Sequence, residues 1–497
     1  LFPQLKACPR AAIDKVVFLS AKSSGRQLAL DALATLTSAQ DEASAEAHRT
    51  PVPLRVLELV AREKSCEHPE AACHGESCPL ARGFYDRLPA ARAAALERVR
   101  LDRAALREVA SEHAVCPYYL GQELARWSDV IVGDYNYWFD ASAMLFMLAA
   151  HNQWRASVLV DEAHNLPERA RAMYSAELVQ TRIDAVRRAA SAPLKRALVR
   201  DPELERFYFD ALHFTRIAER FDTHSLFDVT PLAHQNARRP RSTIAIRNIV
   251  PADALRPRIA TAHSITLFSA TLSPTHYYSD MLGLPANTVS IDIDTPFRAE
   301  QLDVHIARHI STRYKDRERS LEALVGRVAA QFVERPGNYL CFFSSYDYLQ
   351  QAADAFAARH PEVQVWLQSR TMDEADQQAF VARFVEGGCG IGFAVLGGAF
   401  GEGIDLPGTR LIGTFIATLG MPQVNAVNEA MRARMDTLYG DGFDYTYLIP
   451  GLRKVVQAAG RVIRTEQDRG VVHLLDDRFA QPGVRALLPT WWRIATS

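Results

Sequence analysis

The stretch Ser157–Val158–Leu159–Val160–Asp161–Glu162–Ala163–His164 constrains the fold most. Its short apolar run reads as a buried strand. Two adjacent carboxylates and a histidine follow at once. In an open α/β sheet, ligands gather beyond the carboxyl ends of the strands. An acidic pair there suits Mg2+, because one carboxylate holds the hard cation and the next takes a proton from water. A strand that simply ends in a solvated acidic turn has the same local pattern, so the rest of the chain must decide.

The chain has 497 residues, too many for one ordinary core, and two to four domains are expected. Apolar residues make up 48% and charged ones 23%, the balance of a soluble globular protein. No apolar run reaches the roughly 18 residues that a membrane span needs. The start, Leu1–Phe2–Pro3, does not read as a signal peptide. Net charge is −1, so any nucleic-acid site must be a local basic groove. Lysine fills only seven positions and arginine supplies the other basic side chains; a guanidinium suits bidentate phosphate contacts. Seven cysteines, an odd count without a secretory start, argue against a disulfide framework and for a reducing compartment.

In chain order, Val16–Ser20 reads as a strand, Ala21–Gln27 as a polar turn with Gly25, and Leu28–Leu36 as a helix. That is half of a parallel α/β unit. Cys66, Cys73 and Cys78 then lie in a loop rich in His, Pro and Gly. A helical Arg/Ala-rich segment covers 90–112, and Cys116 closes the excursion. Four such thiolates can ligate zinc or an iron–sulfur cluster; the lack of a Cys-x2-Cys knuckle favours a [4Fe–4S] cluster. Strands are expected at 129–137, with an aromatic, polar end, and at 264–268, with Ser269–Ala270–Thr271 at the end of the second. Residues 165–262 between them read as mostly helical, with arginines at 182, 187, 188, 196 and 200. A second α/β domain has strands at 338–343, 390–396 and 411–415. No period of 20–50 residues recurs, so a solenoid is excluded. Last, Gln457, Arg461 and Arg464 are spaced four and three apart, which on a helix puts them on one face. Two guanidiniums and an amide so placed can grip a transferring phosphoryl group.

Together these stretches resemble the superfamily 2 helicases of the XPD/Rad3 and DinG group, the iron–sulfur DNA helicases. Phe18–Gln27 resembles motif Ia, Asp161–His164 motif II, Ser269–Ser273 motif III, Phe343–Tyr346 motif IV, Gly401–Asp405 motif V and Gln457–Arg464 motif VI. The boxes stand in the family's order, and the four cysteines match its cluster insertion. One departure matters. There is no Gly-x4-Gly-Lys-Ser/Thr and no Gly-Lys pair. The resemblance puts the phosphate-cradling loop just upstream of a helix that Leu1–Leu5 resembles. The chain is therefore expected to lack that N-terminal segment, and as it stands to bind and hydrolyse ATP poorly.

The resemblance implies an α/β fold with two RecA-like parallel-sheet domains, the first interrupted by an iron–sulfur insertion and a helical arch. The expected boundaries are 1–63, 119–165 and 263–297 for helicase domain 1, 64–118 for the cluster domain, 166–262 for the arch and 298–497 for helicase domain 2. It further implies that Asp161 holds Mg2+, that Glu162 activates water, and that Arg461 and Arg464, with Gln457, reach the ATP γ-phosphate. His164, Ser269, Thr271, Glu402, Gly403 and Asp405 would couple nucleotide state to motion. Cys66, Cys73, Cys78 and Cys116 would hold the [4Fe–4S] cluster. Ser20, Arg26, Arg82, Tyr85, Tyr135, Ser344 and Tyr346 are the implied DNA contacts. The implied activity is 5′→3′ translocation on single-stranded DNA and opening of forks by a cytoplasmic, nucleoid-associated bacterial monomer. The competing reading is a non-unwinding nucleic-acid-binding module with a structural zinc site.

Overall fold

The computed structural model describes residues 1, 3–5, 12–46, 54–183, 202–232, 241–398, 400–401 and 404–496. The chain divides into two compact units, 1–288 and 289–497.

Unit 1 is built on a six-stranded sheet of order β3-β2-β4-β1-β5-β9. Its strands are β1 (Lys15–Ser20), β2 (Val56–Glu58), β3 (Arg100–Leu101), β4 (Val130–Gly133), β5 (Ala156–Asp161) and β9 (Ser264–Phe268), and every pairing is parallel. The apolar runs at 16–19 and 158–160 are buried throughout, as a sheet covered on both faces requires. Val16, Phe18, Val130, Val132 and Leu159 form one cluster with Ala29 and Leu33 of the helix Ser23–Glu46.

The segment after β5 departs from the sequence expectation. It contains the helices Leu166–Met173, Pro202–Ala218 and Ala252–Thr261. It also contains a three-stranded antiparallel sheet of order β6-β8-β7, from β6 (Ala176–Val179), β7 (Ser225–Leu232) and β8 (Arg241–Asn248). The two-residue alternation of Leu226, Asp228 and Thr230 against Phe227 and Val229, and the β-branched pair Thr243–Ile244, explain why strands form here. Of the expected arginines, Arg182 pairs with Asp210; 187, 188, 196 and 200 lie outside the described residues.

Unit 2 carries a seven-stranded parallel sheet of order β12-β13-β11-β14-β15-β10-β16. Its strands are β10 (Leu302–Ile306), β11 (Asn338–Phe343), β12 (Val365–Leu367), β13 (Gly390–Val395), β14 (Gly413–Ala417), β15 (Gly470–Leu474) and β16 (Arg493–Thr496). Alternate residues of β11 feed opposite faces: Leu340 and Phe342 join one core cluster, and Tyr339, Cys341 and Phe343 the other. Phe342 is fully buried. Phe342→Ala is expected to destabilise unit 2 by about 3–5 kcal/mol, read as a lowered urea midpoint.

Candidate nucleotide and cysteine sites

The parallel register levels the ends of three strands. Ser20 closes β1 opposite Asp161, and Asp161 closes β5 opposite Phe268 of β9. The Ser20 hydroxyl donates to Asp161 Oδ2 at 3.1 Å. Glu162 then reverses the chain with φ 50° and ψ 41°, a left-handed conformation that costs an L-residue roughly 1–2 kcal/mol. The fully buried Tyr135 braces this turn. Its hydroxyl donates to the carbonyl of Asp161 and, at 2.8 Å, to that of Glu162. Burial raises the Tyr135 phenol far above its ordinary value, so it stays a donor.

The two carboxylates have different surroundings. Nδ1 of the buried His164 lies 3.2 Å from Glu162 Oε2 and 2.6 Å from Ser269 Oγ. The Ser269 hydroxyl also donates to Glu162 Oε2 at 3.3 Å. The His164 contact holds Glu162 below the usual carboxylate range. Burial, then the charge of Glu162, pushes Asp161 above it. Neighbouring acids pushed apart in this way can take different roles. The N–H of Thr271 donates to Ser269 Oγ at 3.3 Å, and Tyr278 holds the Thr271 carbonyl at 3.0 Å. His164, Ser269 and Thr271 are thus one polar cluster on Glu162. Among the described residues no three His, Cys, Asp or Glu side chains form a ready metal site. Mg2+ does not require one, since it takes one or two carboxylates and completes its shell with water and substrate phosphates. A half-open Asp161 at a strand end fits that role.

Three implied DNA contacts of unit 1 need correction. Ser20 and Tyr135 are 0% exposed and Arg26 is 8% exposed. All three act inside the fold, where a nucleic-acid backbone cannot reach them. The remaining candidates are on the surface. Arg82 donates from Nε to the Gly75 carbonyl at 3.1 Å, and Tyr85 is 83% exposed. In unit 2, Ser344 and Tyr346 stand at the carboxyl end of β11. Ser344 Oγ accepts from Arg317 at 2.8 Å, and Tyr346 accepts from Gln368 at 3.2 Å.

The arginine pair of unit 2 also differs from expectation. The helix Ile449–Ala459 stops with Gly460 as its C-cap, so Gln457 is helical and Arg461 and Arg464 are not. They do not share one helix face. What holds them is the loop after β13: Arg461 Nη1 donates to the Ile404 carbonyl at 2.6 Å, and Arg464 Nε lies 3.3 Å from Asp405 Oδ1. Glu402 and Gly403 lie outside the described residues.

Cys66, Cys73, Cys78 and Cys116 line one cavity, together with His68 and Tyr119. Cys66 follows the short helix Arg62–Ser65, and Cys116 caps the start of the helix Pro117–Leu124. Arg62 Nη1 approaches Cys73 Sγ at 4.0 Å. Burial raises the Cys116 thiol, and charge on Cys66 and Cys73 adds to this. The four thiols line this one cavity, but no three of them stand in a ready ligating arrangement.

The family model described as DEAD_2 matches residues 49–183, which hold these cysteines and the acidic strand end. The Helicase C-terminal domain model matches residues 329–495. The chain belongs to the XPD/Rad3-like superfamily 2 helicases. Among curated relatives of this helicase group, "ATP-dependent DNA helicase chl-1" of Caenorhabditis elegans is 27% identical over 266 residues, covering 48% of this chain and 31% of the relative. "ATP-dependent helicase DinG" of Mycobacterium tuberculosis is 26% identical over 284 residues, covering 54% and 41%. The chain therefore spans well under half the length of the curated relatives it matches. A solved structure titled "XPD_Helicase" has TM-score 0.66 at 16% identity, covering 98% of this chain and 92% of that one. Another, "XPD_APO", has TM-score 0.56 at 17% identity and covers 99% of both. These likenesses show the two-sheet fold.

Tyr135→Phe keeps the buried ring of this XPD/Rad3-like helicase but strips the donor from two carbonyls. A buried acceptor left unpaired costs about 1–3 kcal/mol. The variant is expected to melt several degrees below wild type by circular dichroism.

Proposed function

We propose that the protein is an ATP-dependent DNA helicase that moves 5′→3′ along single-stranded DNA. The observation that carries this reading is the pair of carboxylates at the end of β5, one held by Ser20 and the other by His164 and Ser269. Mg2+, when bound, neutralises phosphate charge. Asp161 is its protein ligand. Glu162, kept ionised by the His164 contact, accepts the proton of the attacking water. His164, Ser269 and Thr271 hold Glu162 and respond when its partner changes. In unit 2, Arg461 and Arg464, with Gln457, are groups of the kind that offset charge in phosphoryl transfer. Their links to Ile404 and Asp405 tie that contact to the loop that includes Glu402 and Gly403.

Single-stranded and forked DNA are the proposed partners. Ser344 and Tyr346 meet the backbone, and exposed Tyr85 with Arg82 offers a stacking and phosphate contact near the cysteines. Cys66, Cys73, Cys78 and Cys116 hold a [4Fe–4S] cluster, which supplies a rigid cross-link among segments far apart in sequence. The setting is the bacterial cytoplasm, and the working form a monomer. No helix among the described residues is long and apolar enough to cross a membrane.

In the protein made from its complete reading frame, Glu162→Gln is expected to lower ATP turnover at least a hundredfold while ATP binding stays within twofold. Turnover at the wild-type rate removes Glu162 from its role. Cys116→Ser is expected to lose the brown colour, the absorbance near 400 nm and the iron, and with them strand separation. A colourless wild-type protein with one bound zinc favours the non-unwinding module instead.

A further inference from the structure

Ser20 at the end of β1, and Gly25 and Arg26 in the first turns of the helix Ser23–Glu46, lie on the side of the acidic strand end. A Cβ built on Gly25 would lie 2.3 Å from Ser20 Oγ and 2.7 Å from Asp161 Oδ2, so no side chain fits there without moving that carboxylate. Ser20 donates to the same Oδ2. Arg26 Nη1 in turn donates to the Ser20 carbonyl at 3.2 Å. The guanidinium is seated between two more carboxylates, 3.9 Å from Asp134 Oδ2 and 4.0 Å from Glu58 Oε1. Glu58 ends β2 and Asp134 follows β4. The side chain is thus pinned from two neighbouring strands and is 8% exposed.

We propose that Ser20, Gly25 and Arg26 form a cradle that positions the Asp161 carboxylate for a divalent cation. Ser20 fixes one oxygen through its hydroxyl. Arg26 fixes Ser20 by holding its carbonyl. Gly25 leaves the space into which the carboxylate fits. All three are positioning residues, and none touches nucleic acid. The proposal rests on the reading of Asp161 as a metal ligand. Groups that orient a ligand from behind govern metal affinity by about 10- to 100-fold.

The test uses Mn2+ as a probe for Mg2+. Free Mn2+ is counted by electron paramagnetic resonance during titration into the protein from its complete reading frame with a fixed amount of non-hydrolysable ATP analogue, and the Mn2+ taken up by the same amount of analogue alone is subtracted. In parallel, binding of an oligo-dT strand is measured at several salt concentrations. For Ser20→Ala and Gly25→Ala, Mn2+ affinity is expected to fall about tenfold or more, with oligo-dT affinity and its salt dependence unchanged. If either does not fold, the other carries the test; Ser20→Ala removes only one oxygen. Unchanged Mn2+ affinity in the folded variants overturns the cradle. An Arg26→Gln variant whose salt slope falls by about 0.7, the value of one lost single-strand phosphate contact, overturns it too, because Arg26 then touches DNA. Wild-type protein that binds no Mn2+ overturns the acidic-site reading itself, and this is distinguishable because it precedes any substitution.

Discussion

Everything at the acidic site depends on strand register. Because β1, β5 and β9 run parallel and level, Ser20, Asp161 and Phe268 end in one row, and the loops leaving them converge. A slip of one residue in any pair would turn each side chain to the other face of the sheet. Asp161 would then lose Ser20, and Ser269 would lose Glu162. The buried valines and leucines of these strands enforce that register. The apolar core and the chemistry at its rim are therefore one constraint seen at two places. The turn at Glu162 adds local strain, and Tyr135, arriving from beyond β4, offsets it through the two carbonyls.

Unit 2 solves a similar problem by other means. Arg461 and Arg464 sit past a helix end, where a backbone has most freedom. They are secured by the segment after β13 rather than by their own helix. Asp468 adds to this by accepting the N–H groups of Arg464 and Thr465. Two stretches more than fifty residues apart are thus bonded to each other at both guanidiniums.

Much of this was legible from the residues alone. The strands at 16–20 and 338–343 are largely apolar runs, 264–268 alternates Ser264 and Thr266 with Ile265 and Leu267, and their ends carry the polar residues that matter. The cysteines gather as their spacing suggests. What the sequence concealed has physical causes. Strands β2, β3 and β12 are two or three residues long, below the length at which a period can be read. In β10 the polar Asp303 and His305 alternate with Leu302, Val304 and Ile306 just before a long helix, and β16 is only four residues long. At 457–464, helical spacing continues past Gly460, yet the chain leaves the helix there, where Arg461 bonds the distant Ile404 carbonyl and the Arg464 N–H bonds the nearby Asp468 side chain. Ser20, Arg26 and Tyr135 have the residue types of DNA contacts, and only their burial separates a brace from a ligand contact. Nothing local marks Gly25, whose meaning lies in Asp161, more than a hundred residues away.

The cysteine segment has one more implication. Between Ser65 and Phe84 there is no helix or strand, only short turns, whereas the helices Phe84–Glu97 and Arg103–Glu112 that follow bury Ala91, Ala95, Leu106 and Val109. Residues 66–83 are therefore carried by turns and by side-chain contacts, such as those of the Arg82 and Arg87 guanidiniums with the Gly75 and Arg82 carbonyls, so loss of these arginines would slacken that stretch while the helices beside it stayed packed.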